Sequence, residues 1–130
     1  MESREAYRRY LSSDGFEILV GRSAADNDLL TFRVAAQEDF WLHVADSSGS
    51  HVIVRNPDRL ERLPRQTLRE AAGLAAHFSK SRKGGRVAVH YTQRRFVRKE
   101  RGAPAGQVQL KRFDTLRVSP QLLPESVSRR

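Results

Sequence analysis

The chain contains no cysteine. That excludes disulfides, thiolate nucleophiles and cysteine-ligated zinc, and it is the composition expected of a protein from a reducing cytoplasm. Nothing in the 130 residues approaches the roughly 18 consecutive apolar residues of a membrane span. The opening stretch MESREAYRRYLSS mixes acids and bases without an apolar core, so it does not read as a secretory signal. No repeat, low-complexity tract or Pro/Gly-rich linker divides the chain. The length suits one domain. The expected organisation is an N-terminal extension over 1–13, helical or loosely docked, a domain over 14–120 and a C-terminal tail over 121–130.

Charge is unevenly spread. The net value is +9, from 24 basic and 15 acidic residues. Residues 1–40 hold eight acids against five bases, whereas residues 80–112 hold eleven bases and one acid, Glu100. A segment charged this one-sidedly is an electrostatic footprint for a polyanion, and its bland counterpart is a solvated basic face.

GFEILVG predicts a strand at Phe16–Val20 between two glycines. DNDLLTFRVA predicts a short helix capped by Asp26 or Asn27, with Leu29, Leu30, Phe32 and Val34 mostly on one side. Strands are expected at Trp41–Val44 and His51–Val54, joined by the turn ADSSG. In the second strand, Val52 and Val54 face away from His51 and Ile53. The longest helical pattern is RQTLREAAGLAAHFSKS. There Thr67 and Glu70 have capping-box spacing after Pro64, and Leu68, Ala71, Ala72, Ala75 and Phe78 form one apolar face. Gly84-Gly85 then turns into the alternating strand RVAVHYT, and QVQL and TLRV are two further short strands. The fold class is α+β: a mostly antiparallel or mixed sheet, one strong helix packed on it and lesser helices.

Three stretches could carry chemistry. In DFWLHVADSSGSHVIVR, His43 and His51 can approach across the turn, and Asp39 could join them in a metal-assisted hydrolase. A catalytic zinc site needs three protein ligands, however, and no metal-binding spacing is present. Ser50 and His51 are adjacent on a strand and point to opposite faces, so they form no dyad. Gly49 and Ser50 form a turn whose backbone N–H groups could receive a phosphate. In YTQRRFVRKERGAPAG, the cations Arg94, Arg95, Arg98, Lys99 and Arg101 crowd around Tyr91 and Phe96. Cations beside aromatic rings hold phosphates while unpaired bases stack, a pattern suited to single-stranded RNA.

VGRSAADNDLLTFRVA, DFWLHV, GSHVIVR, TLREAAGLAAHFSKS and VHYTQRRFVRKERGAPAGQV, in that order, resemble the NFACT-R domain, over roughly residues 14–120. The family's Gly-Arg pair falls on Gly21 and Arg22, its Asn-Asp pair on Asn27 and Asp28. Its Asp-x-Trp-x-His element falls on Asp39, Trp41 and His43, and its Gly-Ser-His on Gly49, Ser50 and His51. Ser79 and Lys80 match its helix end, and Tyr91, Thr92 and Lys99 its basic strand. Ser23 and Ser48 depart from the Asn and Pro that many members carry at these turns.

The resemblance implies RNA binding, to rRNA or tRNA, within factors that rescue stalled ribosomes on the large subunit. It implies no catalytic role and no metal or other cofactor. Tailing of the stalled chain, which resides in other domains of those factors, does not carry over to what resembles a stand-alone member. The expected RNA-binding residues are Arg22, Asn27, His43, Ser50, His51, Lys80, Arg94, Arg95, Arg98, Lys99 and Arg101. The alternatives are the Asp39/His43/His51 hydrolase and an adaptor that docks on ribosomal protein, its basic face only solubilising.

Overall fold

Alternating apolar residues build a six-stranded antiparallel sheet in the computed structural model, which describes residues 5–126. Its strands are β1 (Tyr7–Leu11), β2 (Glu17–Gly21), β3 (Phe40–Val44), β4 (Val52–Val54), β5 (Val87–Gln93) and β8 (Asp114–Val118). They lie in the order β1-β2-β4-β3-β5-β8. Between the last two in sequence, β6 (Val97–Arg98) and β7 (Gln109–Leu110) form a small separate ladder. The helices are α1 (Ala24–Leu29), which runs straight into a π-helical turn over Leu30–Val34, and α2 (Arg65–His77). The α+β reading holds.

Period-two alternation gives each side of the sheet its own apolar cluster. Ile18, Val20, Leu42, Val44, Val52, Val54 and Val89 face α2, which buries Ala71, Ala72, Leu74, Ala75 and Ala76 against them. Alanine at these contacts lets the helix lie close to the strands. On the opposite side Leu19, Trp41 and Ile53 pack with Leu30 and Val97 under the π-helical turn and the β6–β7 ladder. The domain is therefore layered: α2, then sheet, then a thinner layer of turns.

Several local expectations change. The segment read as a helical or loosely docked extension contributes strand β1, antiparallel to β2 with Tyr10 opposite Ile18, and Tyr10 is buried. Residues 1–4 of that segment and 127–130 of the tail lie outside the described residues. The cap of α1 is Ser23, whose Oγ accepts from the Asp26 N–H at 3.1 Å, rather than Asp26 or Asn27. Serine at this departure from the family's asparagine performs an N-cap's ordinary task. Leu29 is exposed, and only Leu30 of that pair enters the core.

Thr67 and Glu70 form no capping box. The N-cap of α2 is Pro64, and both side chains are buried against the β1–β2 turn. The Thr67 hydroxyl lies 2.8 Å from Ser12 Oγ and donates to Asp14 Oδ2 at 2.7 Å. Glu70 accepts from the Ser13 N–H at 2.8 Å and from the Ser13 hydroxyl. The pair thus fastens the helix to a hairpin more than fifty residues away. Past β8 the chain crosses α2: Gln121 N–H donates to the Gly73 carbonyl at 3.0 Å. A Cβ on Gly73 would sit 2.7 Å from Gln121 Cβ, so only glycine admits this crossing.

Candidate nucleic-acid interface

The motif residues converge where β2 ends and β4 begins. Gly21 N–H donates to the His51 carbonyl at 3.0 Å, and a Cβ there would lie 1.9 Å from Asn27 Oδ1. That oxygen is occupied: it accepts from the His51 N–H at 3.1 Å, while Asn27 Nδ2 donates to the Gly49 carbonyl at 3.4 Å. Asn27 is thus a buried staple between α1 and the turn before β4. Ser50 donates its hydroxyl to the Gly21 carbonyl at 2.7 Å and its N–H to the Phe78 carbonyl at 3.0 Å. The Lys80 N–H donates to the Ser48 carbonyl at 2.9 Å. Residues 48–50 are therefore tied to the end of α2, and the Ser50 N–H expected to receive a phosphate already has a partner.

His51 is 1% exposed. Its Nε2 faces the Gly106 carbonyl at 3.0 Å and its Nδ1 the Thr31 hydroxyl at 2.8 Å. A carbonyl only accepts, so Nε2 carries the proton, and Nδ1 of the neutral ring accepts from Thr31. Burial, helped by neighbouring His43, lowers its pKa to about 4. The ring is a neutral strut in a buried chain of hydrogen bonds, out of reach of a ligand. His43 stands 5.5 Å away, edge to face, and stacks on Trp41 at 5.8 Å. Burial lowers the His43 pKa too, although the Val44 and Gly49 carbonyls pull the other way. Unlike His51, it reaches the surface.

The third wall is the loop over residues 99–107, and Lys99 holds it. Lys99 Nζ donates to the Pro104 carbonyl at 2.5 Å and the Gln107 carbonyl at 2.9 Å, and lies 3.0 Å from Asp28 Oδ2. The other Asp28 oxygen accepts from the Gly106 N–H at 3.1 Å, where Gly106 takes a φ of +84° that favours glycine. What remains between these parts is a cleft of about 540 Å³. Arg22, His43, residues 47–50 and residues 104–107 form its sides.

The cations expected to hold phosphates separate into two kinds. Arg94 is half-buried over the Phe32 ring, donates Nε to the Thr31 carbonyl and Nη1 to the Val97 carbonyl at 3.3 Å, and has its pKa lowered by burial. Together with Lys99 it braces the turn layer from within. Arg98, Arg101 and Lys80 are exposed with no ion pair among the described residues, and exposed Arg22 stands 3.9 Å from Glu125. Exposed Arg95 lies 3.8 Å from Glu38 and 5.0 Å over the Phe96 ring, on another side of the molecule from the cleft.

Asp39 does not join the histidines. Its carboxylate is buried at the start of β3 and accepts from the Asn56 N–H at 2.8 Å and the Ala36 N–H at 2.9 Å. Among the described residues no three His, Asp or Glu side chains gather as metal ligands. Asp28 and Thr31, the partners of Lys99 and His51, went unassigned as site residues in the sequence. Asp28 had a signal, its place in the Asn-Asp motif. Thr31 had none, because only the π-helical turn aims it at His51.

The family model described as the NFACT protein RNA binding domain matches residues 6–112. The chain is 44% identical over 111 residues to the Rqc2 homolog RqcH of Bacillus subtilis, covering 85% of this chain and 19% of that protein. It is 31% identical over 77 residues to ribosome quality control complex subunit 2 of Saccharomyces cerevisiae, covering 59% of this chain and 7% of that one. The chain thus spans about a fifth of the length of the bacterial relatives it matches. Among solved structures, the C-terminal part of the fibronectin/fibrinogen-binding protein from Streptococcus suis superposes with a TM-score of 0.84 at 36% identity, over 92% of this chain and 47% of that one. With Arg22, Asn27, His43, Gly49 and Ser50 of the motifs lining one cleft and the family match spanning most of the sequence, the chain belongs to the NFACT RNA-binding domain family.

Proposed function

We propose that this domain is a non-catalytic RNA-binding module that holds rRNA or tRNA on the large ribosomal subunit during rescue of stalled ribosomes in the cytoplasm. The observation that carries the reading is how the cleft is built. Asn27, Ser50, His51 and Lys99 are all committed to holding backbone, so the cleft is rigid before any ligand arrives. Arg22 borders it directly, and Lys80 follows the Gly49–Ser79 bridge on its rim. Arg98 and Arg101 stand on the hairpin that supplies its third wall. Exposed guanidinium and ammonium groups on a fixed polar scaffold suit phosphates, with His43 placed to meet a base or ribose edge as a neutral donor or acceptor. The names of the relatives, built around ribosome quality control, support the setting.

Counterion release provides the test. With about four to six phosphates engaged, log K for single-stranded RNA against log[salt] should slope at about −3 to −4. Arg22→Gln/Lys80→Gln should weaken RNA and large-subunit binding about tenfold and flatten the slope by roughly 1.4, with unchanged thermal melting. A flat salt dependence with retained subunit binding would instead identify a protein as the partner.

A further inference from the structure

A second concave surface begins at the opposite end of α2 from the cleft. Its first part, about 990 Å³, runs between the start of the helix, the end of β5 and the residues just before β8. Four arginines face it, Arg62, Arg65, Arg95 and Arg112, against Glu61 and Asp114. Its second part, about 660 Å³, shares Arg65, Leu68 and Tyr91 with the first and adds Arg69, Arg86 and Arg117. The two form one groove along the exposed side of α2 and the β5–β8 edge.

The arginines of this groove are available. All seven are exposed, and among the described residues only Arg95 has an ion pair. Arg86 and Arg117 each donate to the other's carbonyl, at 3.0 and 3.4 Å, which aligns the two guanidinium groups across β5 and β8 without neutralising them. Two acids against seven cations leave a strongly positive trough, where low-dielectric walls concentrate the field on an incoming anion.

Charge alone would suit any polyanion, but the floor selects further. Both Arg95 and Arg112 lie over the Phe96 ring, at 5.0 and 5.1 Å, so their planar groups are held by the aromatic face. Tyr91, partly buried against the core, forms the ridge shared by the two halves. Guanidinium planes and aromatic faces are what unpaired bases stack on, while the guanidinium edges donate to phosphates. A duplex keeps its bases stacked inside and presents no such faces.

We infer that this groove binds a single-stranded RNA segment, with bases stacked at Arg95, Phe96, Arg112 and Tyr91 and phosphates held by Arg62, Arg65, Arg69, Arg86 and Arg117. The inference deepens the RNA-binding reading and rests on it, but it assigns a surface separate from the motif cleft.

Three probes test it on the full chain: a 12-nucleotide oligouridine, the same length of abasic strand, and a 12-base-pair RNA duplex. Wild type should bind oligouridine at least about fivefold more tightly than the abasic strand, the least that base stacking supplies. Arg62→Gln/Arg65→Gln/Arg69→Gln should weaken oligouridine about tenfold and flatten its salt slope by about two. Arg95→Lys/Arg112→Lys keeps the charge but removes the planes, so it should retain the slope and lose the preference for bases. All these positions are exposed, and unchanged melting confirms folding. If the triple variant binds oligouridine like wild type while Arg22→Gln/Lys80→Gln does not, the groove is not an RNA site, yet the RNA-binding reading survives. Equal binding of abasic and base-bearing strands, or a preference for duplex, removes the stacking role and overturns the proposal. If wild type binds no RNA at any salt, the reading and the groove fall together.

Discussion

At the scale of single residues, the chemistry of this domain turns on whether a polar group is spoken for. His51 ranks among the most suggestive side chains in the sequence and is fully used, by Thr31 on one nitrogen and Gly106 on the other. Its folded pKa of about 4 lies below the 6.5 of an unfolded chain. Between these values the unfolded state binds a proton that the folded state does not. Stability is therefore complete above about pH 6.5 and falls as pH drops toward 4, by an amount on the order of 3 kcal/mol. His43 and His77, both lowered by burial, act in the same sense. Urea melts at pH 7.5 and pH 5 should show this acid-side loss. His51→Ala should cost about 2–4 kcal/mol at pH 7.5 and reduce the difference between the two pH values. A variant with the wild-type difference would mean that His51 is not the group titrating.

At the scale of elements, the loop over 99–107 contributes no residue to either apolar cluster and is held by polar contacts, of which one ammonium group makes the most. Lys99 reaches two carbonyls of its own loop and the carboxylate of Asp28 on α1, so it joins the β6–β7 hairpin to the helix across the cleft. Lys99→Met keeps the stem's length and apolar packing but removes all three contacts. Amide exchange at Ala103, Gly106 and Gln107 should then accelerate at least about tenfold, while amides of β3 and β5 keep their protection. The melting temperature should fall only a few degrees, because the two apolar clusters do not rely on this loop. Equal protection of the loop in both proteins would show that the contacts of Gly106 with Asp28 and His51 suffice to hold it.

At the scale of the whole molecule, the cleft includes Phe78 at the C-terminal end of the 13-residue helix α2, whereas the groove starts at Arg65 and runs along the helix side. The helix itself is about 20 Å long at 1.5 Å per residue. The sheet and α2 form a common rigid support, with Phe40 at one end of β3 lining the groove and His43 near the other lining the cleft. No side chain is shared, so the effects of Arg22→Gln/Lys80→Gln and of the α2 triple variant on log K should add to within about 0.3 for an RNA long enough to reach both. Anisotropy titrations of the two variants and their combination would check this. A combined loss no larger than the greater single loss would mean that only one surface is engaged at a time.

The order of the elements was legible in the sequence because strands and helices are written locally. Val87, Val89 and Tyr91 alternate as β5 requires, and the alanines of α2 repeat on one face. The family motifs were legible for the same reason: Gly21, Asn27 and Gly49-Ser50-His51 are short strings whose spacing survives without the fold. β1 was missed because its charged side chains mask an edge strand, whose pairing with β2 is needed to reveal it. What no reading along the chain could decide was which cations are free. Arg94 and Arg95 are neighbours of equal charge, yet one is drawn under the turn layer by carbonyls of Thr31 and Val97 and the other lies out over Phe96. The groove likewise needed Arg65 and Arg69 from α2, Arg86 and Arg95 from either end of β5, and Arg117 from β8 on one surface. A residue's type and its local period are carried by its neighbours in sequence. Its exposure and its hydrogen-bond partners are set by residues dozens of positions away, and only tertiary packing brings those together.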